Sequence, residues 1–232
     1  MKGVKFGDKH SYRDFGLILT EKDIGSAEPK LEQVEVDGID GKLDLTDALG
    51  RLKYKNRTLS FTFTAIGSQS EFLSKYSDIQ NYLHGKKMRV ILDDDPSFYY
   101  DGRCTVNKFK TNKRTATIVV DVDAAPYKLD VYGAGDDWSW DDFSFIDGVI
   151  YPDECKVSSE GSIEIPVRNK AISPIFTASA DGMKVAGADK RYYDLKKNTP
   201  MKVPEIQLTQ ENQTLWFTGT GTVKLRYRGG SL

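Results

Sequence analysis

From Thr58 to Ala65 the chain alternates strictly, with Leu59, Phe61, Phe63 and Ala65 on one side and Thr58, Ser60, Thr62 and Thr64 on the other. A period of two marks a strand with one face in a core, and Thr and Phe both suit a pleated, half-buried surface. The period then changes. Phe72, Tyr76, Ile79 and Leu83 are spaced by four, three and four, which predicts one apolar stripe on an α-helix. Ser68 followed three residues later by Glu71 fits a capping box, and Gly85 stands where a helix should stop. Strands resume over Met88 to Leu92, stopped by an acidic turn from Asp93 to Pro96. Tyr99 to Phe109 and Ala116 to Val122 read as an antiparallel hairpin closed by Thr111-Asn112-Lys113-Arg114. Gly16 to Leu19 and Leu31 to Val36 are two further predicted strands.

Pro126 marks a boundary, because it cannot donate to a sheet ladder and it restricts Ala125 before it. Beyond it come Gly133-Ala134-Gly135 and an acidic-aromatic run from Asp136 to Phe143. A second alternating region follows, with Ile163, Ile165 and Val167 set against Ser162, Glu164 and Pro166, and Val223, Leu225 and Tyr227 set against Lys224, Arg226 and Arg228. Short strands between turn signals predict a β-sandwich. The expected organisation is two mostly β domains, 1–128 and 129–232, with one helix in the first.

Composition narrows the partners. The 232 residues carry 33 basic and 34 acidic side chains, a formal charge of −1, so no long-range field draws the chain to nucleic acid or an anionic membrane. No apolar stretch approaches the ~20 residues of a membrane helix, and Met1-Lys2-Gly3-Val4-Lys5 opens no signal-peptide core. Synthesis in a cytoplasm, without export by a cleaved leader, is the expectation. Cys104 and Cys155 lie far apart without metal-ligand spacing and are read as two unpaired buried thiols.

Candidate chemistry is sparse. Asp37, Asp40, Asp44 and Asp47 invite a calcium reading, but a loop starting at Asp40 has Lys42 at position 3 and Leu45 at position 6, where an EF-hand needs an oxygen ligand and a glycine. A solvated turn fits better. Asp93-Asp94-Asp95 cannot converge on one ion, since neighbours on a strand point to opposite faces; the run is expected to break an edge or meet basic neighbours. Only His10 and His84 could serve a nucleophile, and neither sits in a catalytic motif. His84 is expected to cap the helix, where a cation favours the dipole, and His10 to lie in a polar turn. Trp138 and Trp140, flanked by acids, could stack on a sugar ring, or else anchor a loop to a neighbouring domain or subunit. Gly219-Thr220-Gly221-Thr222 lacks the Lys of a phosphate-binding loop and is read as a turn. Arg228-Gly229-Gly230 is read as a chain end leaving a strand. No catalytic residue, cofactor site or metal site emerges.

A series of small clusters in fixed order carries a resemblance. They are Phe15-Gly16-Leu17-Ile18-Leu19, Val36-Asp37-Gly38-Ile39-Asp40-Gly41-Lys42-Leu43-Asp44-Leu45-Thr46, Tyr54-Lys55-Asn56-Arg57, Leu83-His84-Gly85-Lys86, Asp93-Asp94-Asp95-Pro96 with Tyr99-Tyr100-Asp101-Gly102-Arg103, and Ala125-Pro126-Tyr127-Lys128. Over residues 1–128 the chain resembles the N-terminal domain of the distal tail proteins (Dit) of long-tailed, non-contractile phages. Beyond, residues 129–232 resemble that family's C-terminal domain more loosely, mainly through Phe217-Thr218-Gly219-Thr220-Gly221-Thr222-Val223 and Tyr227-Arg228-Gly229-Gly230-Ser231-Leu232. The resemblance implies a mainly β fold: an N-terminal β-sandwich with one helix and an extended hairpin, then a galectin-like or carbohydrate-module-like sandwich. It implies a non-enzymatic virion protein, of a phage or prophage, forming a hexameric ring at the tail tip. That ring would lie between the tail-tube protein and the tail-associated tip protein, with receptor-binding proteins as further partners and DNA passing its bore without specific binding. Ring contacts are heterologous, so each subunit must carry two different complementary patches; the hairpin around Tyr99, Tyr100 and Arg103 is the expected one. The alternative is a cell-wall glycan-binding module that uses the C-terminal sandwich with Trp138 and Trp140.

Overall fold

The computed structural model describes residues 2–48, 50–137, 149–209 and 213–232. These fall into two compact units, one of 1–95 with 99–128 and one of 96–98 with 129–232. The first contains strands β1 (Val4–Phe6), β2 (Lys9–His10), β3 (Ile18–Ile24), β4 (Pro29–Lys30), β5 (Gln33–Glu35), β6 (Lys42–Asp44), β7 (Lys53–Tyr54) and β8 (Arg57–Ile66), helix α1 (Gln69–Leu83), and strands β9 (Lys87–Leu92), β10 (Asp95–Thr111) and β11 (Thr115–Ala124). Its main sheet runs β2-β1-β9-β10-β11-β8-β3, all antiparallel. Two separate hairpin-like pairs, β4 with β7 and β5 with β6, stand between β3 and β8 in sequence.

The alternation of residues 58–65 does what its period predicts. Leu59, Phe61 and Phe63 have no exposed surface, and β8 pairs with β11 without a break from Arg57 opposite Ala124 to Ile66 opposite Thr115. Phe6 meets Phe61 edge-to-face at 5.9 Å between centroids, an arrangement worth about 1 kcal/mol beyond the area buried. The helix adds Phe72, Ile79 and Leu83 to the same core. Its start is a capping box of Ser68 and Glu71, as read, and it ends at His84 and Gly85. Tyr76 lies flat on Phe109 of β10, 4.2 Å between centroids.

Strand ends differ from the expected ones where backbone groups are spent elsewhere. Gly16 and Leu17 precede β3 because their N–H groups close a turn onto the carbonyls of Tyr12 (2.9 Å) and Ser11 (2.8 Å). Leu31 to Val36 shortens to β5, every residue of which is exposed. The acidic turn is only Asp93-Asp94, and Asp95 already pairs opposite Leu92.

The second unit comprises the remainder of the chain: β12 (Lys128–Asp130), β13 (Glu154–Ile165), β14 (Ile175–Ala178), β15 (Lys184–Ala186), β16 (Tyr192–Asp194), β17 (Met201–Lys202), β18 (Gln213–Arg226) and β19 (Gly230–Ser231). Its sheet is β16-β15-β18-β14-β17, with β13 also on β18. The predicted alternation holds here too: Ile165, Val167, Val223, Leu225 and Tyr227 are all buried. Gly219-Thr220-Gly221-Thr222 is not the expected turn. It lies in the middle of β18, paired with β13 throughout, while on the other edge β15 pairs up to Thr218 and β14 from Val223 onward. The two glycines have φ of 108° and 148°, and a Cβ on Gly221 would sit 2.7 Å from Ser179 Oγ. They mark a close backbone approach within a strand, which a single sequence does not distinguish from a turn. The fold is mainly β with one helix among the described residues.

Truncating Phe61 to Ala is expected to cost about 3–5 kcal/mol, whereas Leu73→Ala, on the exposed face of α1, should change stability by no more than about 0.5 kcal/mol. Urea unfolding followed by circular dichroism separates the two.

Candidate functional site

The residues singled out by sequence scatter over the structure. Tyr100 is in the core of the first unit and Tyr99 is buried as well, with the Arg89 guanidinium 4.7 Å from its ring centre. Of that trio only Arg103 is exposed, and it donates to the Gly85 carbonyl. Tyr99 and Tyr100 are both buried where the β9–β10 register shifts, between Asp95 and Tyr100, so the simple alternation along the strand breaks here. Trp138 and Trp140 lie outside the described residues. The remaining tryptophan, Trp216, has Lys190 Nζ 3.3 Å from its ring centre, so that face is already occupied by a cation.

Each acid of the 93–95 run meets a different partner. Asp93 accepts from the Gly3 N–H (2.7 Å) and lies 3.0 Å from His10 Nε2. Asp94 pairs with Lys22, which holds its carboxyl below the usual range, and Asp95 pairs with Lys128 at 2.7 Å. His10, read as a turn residue, is buried at the centre of a polar knot that sequence reasoning missed. Its Nδ1 accepts the N–H groups of Tyr12 and Arg13 at 3.1 and 3.2 Å, and its own N–H donates to Asp14. His84 is the C-cap residue of α1, its backbone N–H donating to the Gln80 carbonyl at 2.9 Å, while its ring serves a strand and not the helix. Cys104 N–H donates to the Lys86 carbonyl at 2.9 Å, and two residues on, Val106 N–H finds His84 Nδ1 at 3.2 Å. The imidazole thus supplies one more rung after β9 has run out, satisfying a backbone donor that would otherwise be left open.

The second unit has its own buried polar centre. Asp130 accepts from the Tyr151 hydroxyl at 2.7 Å and faces Arg168 Nε at 3.5 Å. Arg228 donates to the carbonyls of Asp130 and Val131 and pairs with Asp136. The Arg228-Gly229-Gly230 segment is therefore an internal lock rather than a loose end. A Cβ on Gly229 would fall 1.8 Å from the Tyr151 hydroxyl oxygen, so only glycine fits. Burial raises the Asp130 carboxyl above its ordinary 3.8, partly offset by Tyr151 and the two arginines. Burial also pushes up Tyr151, helped by the Asp130 charge. Cys104 and Cys155 are unpaired and buried; burial moves the Cys104 thiol up to about 12 and raises Cys155 as well.

What the first unit presents to solvent is of two kinds. Residues 28–44 are exposed without interruption. Along this arm Leu31, Val34, Val36, Ile39 and Leu43 show roughly half their surface, among seven carboxylates and two lysines over 28–47. At the closed end of the β10–β11 hairpin, residues 107–114 hold Lys108, Lys110, Lys113 and Arg114 and no acid, and all four cations are exposed. Neither feature resembles a catalytic constellation. Among the described residues no three His, Cys, Asp or Glu side chains are grouped to hold a metal, and no helix is long and apolar enough to cross a membrane.

No family model matches the chain, and no curated protein does. A solved structure does: the crystal structure of the SPP1 Dit protein, described as a paradigm of the hub adsorption apparatus in phages infecting Gram-positive bacteria, matches with a TM-score of 0.66 over 100% of both chains, at 11% identity. The fold is that of Dit. The resemblance read from motifs in residues 1–128 is thus borne out as a fold, and it extends over the full length. At 11% identity the shared element is the path of the backbone.

Two outcomes test these sites. A carboxyl with a raised native pKa binds its proton more readily folded than unfolded, so its contribution favours the fold below 3.8 and is lost as pH rises through the native value. Asp130→Asn removes this term. Its melting temperature relative to the wild type should therefore climb as pH rises from below 3.8 through the native value; a falling difference would contradict the assignment. Native protein at pH 8 should leave a thiol-specific disulfide reagent almost unconsumed over minutes, since only the thiolate reacts. Guanidinium should release two equivalents.

Proposed function

We propose that this protein is a structural hub at the tip of a long, non-contractile phage or prophage tail, with no chemistry of its own. The single observation that carries the reading is the full-length match to the SPP1 Dit protein. In this reading the first unit closes a homohexameric ring, one face of which meets the tail-tube protein and the other the tail-associated tip protein with its receptor-binding partners. The second unit is a docking platform, resembling a galectin-like sandwich. The formal charge of −1 suits a bore through which DNA passes without being gripped. The balance of polar and apolar residues on the exposed arm suits a subunit that is synthesised singly and buries the arm on assembly.

Solution mass by light scattering, with negative-stain imaging, tests this. Six copies of a 26.1 kDa chain, about 157 kDa, around a central hole are expected. A chain that remains a monomer at every concentration yet binds purified wall polysaccharide would overturn the ring reading in favour of a glycan-binding module.

A further inference from the structure

The second unit contains a small cavity that the function proposed above does not use. Its volume is about 230 Å³, below the ~300 Å³ at which sites for drug-sized ligands begin, so it suits a group the size of one side chain. Two tyrosines, Tyr132 and Tyr151, line it with two carboxylates, Asp136 and Asp153, and the aliphatic Val149 and Ile150.

The walls are fixed before any ligand arrives. The Tyr151 hydroxyl donates to Asp130 at 2.7 Å, and its ring meets Tyr227 edge-to-face at 5.4 Å. In the turn of residues 133–136, the Gly133 N–H donates to the Asp136 carboxylate at 2.9 Å, and the Ala134 N–H reaches the Tyr227 carbonyl at 2.9 Å. A Cβ on Gly133 would sit 2.6 Å from that same carbonyl oxygen. Walls formed in advance cost a ligand little ordering.

The two carboxylates are not equivalent. Asp136 is paired with Arg228, which offsets its charge. Asp153 is held through its main chain, whose carbonyl accepts the Leu225 N–H at 2.7 Å. Its carboxylate forms no ion pair among the described residues; Arg226 runs past Gly135 but pairs with neither acid. Asp153 is exposed, as is Ile150, which shows 61% of its surface. The cavity thus combines aromatic walls, an aliphatic rim and one negative charge without a counterion.

We propose that it binds a primary ammonium carried on an aliphatic stem, the chemistry of a lysine side chain. The stem lies against Val149 and Ile150, the tyrosine rings attract the cation, and Asp153 supplies its counter-charge. Anions are rejected by the same carboxylate. On a tail hub the bearer is a lysine of an adjoining protein; a free alkyl diamine carries the same chemistry. The site goes beyond the hub reading and does not depend on it.

The test is a chemical-shift titration of the isotope-labelled full-length chain with Nα-acetyl-lysine methylamide, and in parallel with cadaverine. A dissociation constant of about 1 mM is expected for a probe of this size, with shifts centred on Tyr132, Val149 and Ile150. Asp153→Asn should weaken binding about fivefold, and the control Glu164→Gln, an exposed acid outside the cavity, should leave it unchanged. Ile150→Lys, which tethers an ammonium at the mouth, should compete with both probes and weaken them similarly. The tighter of the two probes identifies the source, peptide or free amine. Equal shifts from the uncharged norleucine analogue, affinity unchanged in both cavity variants, or no binding of either amine at about 20 mM would each overturn the site. None of these outcomes bears on the ring, since the probe is read on single chains and assemblies alike.

Discussion

The uninterrupted ladder between β8 and β11 is the constraint on which the first unit depends. Because its register holds from Arg57 to Ile66, Leu59, Phe61 and Phe63 all point the same way, and a slip of one residue would turn the three outward together. The helix then has a fixed apolar surface to cover with Phe72, Ile79 and Leu83.

Buried polar groups in both units join backbone segments that are distant in the chain. His10 gathers the N–H groups of Tyr12 and Arg13 and reaches Asp93, tying the turn after β2 to the turn after β9. Asp130, Tyr151 and Arg228 do the same for β12, the segment before β13 and the chain end. Such networks cost desolvation and return it only when every member is satisfied. That is a reason for glycine at 229, where any side chain would displace the Tyr151 hydroxyl.

Much of this was legible beforehand. Period-two alternation located β8, β11 and the inward faces of β13 and β18, and the helix could be read with its cap because the capping signals are local. Leu31 to Val36 was read as a strand and the acids from Asp37 to Asp47 as a solvated turn; the strand is the shorter β5, and Lys42 to Asp44 form a second strand that pairs with it, leaving Val34, Val36 and Leu43 exposed where a single sequence suggests an ordinary buried face. Gly219 to Thr222 was misread because glycine serves tight turns and close strand contacts equally well. Tyr99 and Tyr100 were nominated for an interface because aromatic residues are enriched there, and a core uses them for the same reason.

The chain by itself determined which segments are strand or helix, which side of each is apolar, and, through its short clusters in fixed order, which fold it would resemble. Those properties depend on residues close in sequence, where geometry repeats every two or 3.6 positions. Tertiary structure alone decided that Tyr99 and Tyr100 are buried together where the β9–β10 register shifts, and that Asp93, Asp94 and Asp95 each find a partner far away in the chain. These depend on contacts across dozens of residues, and no local period encodes them.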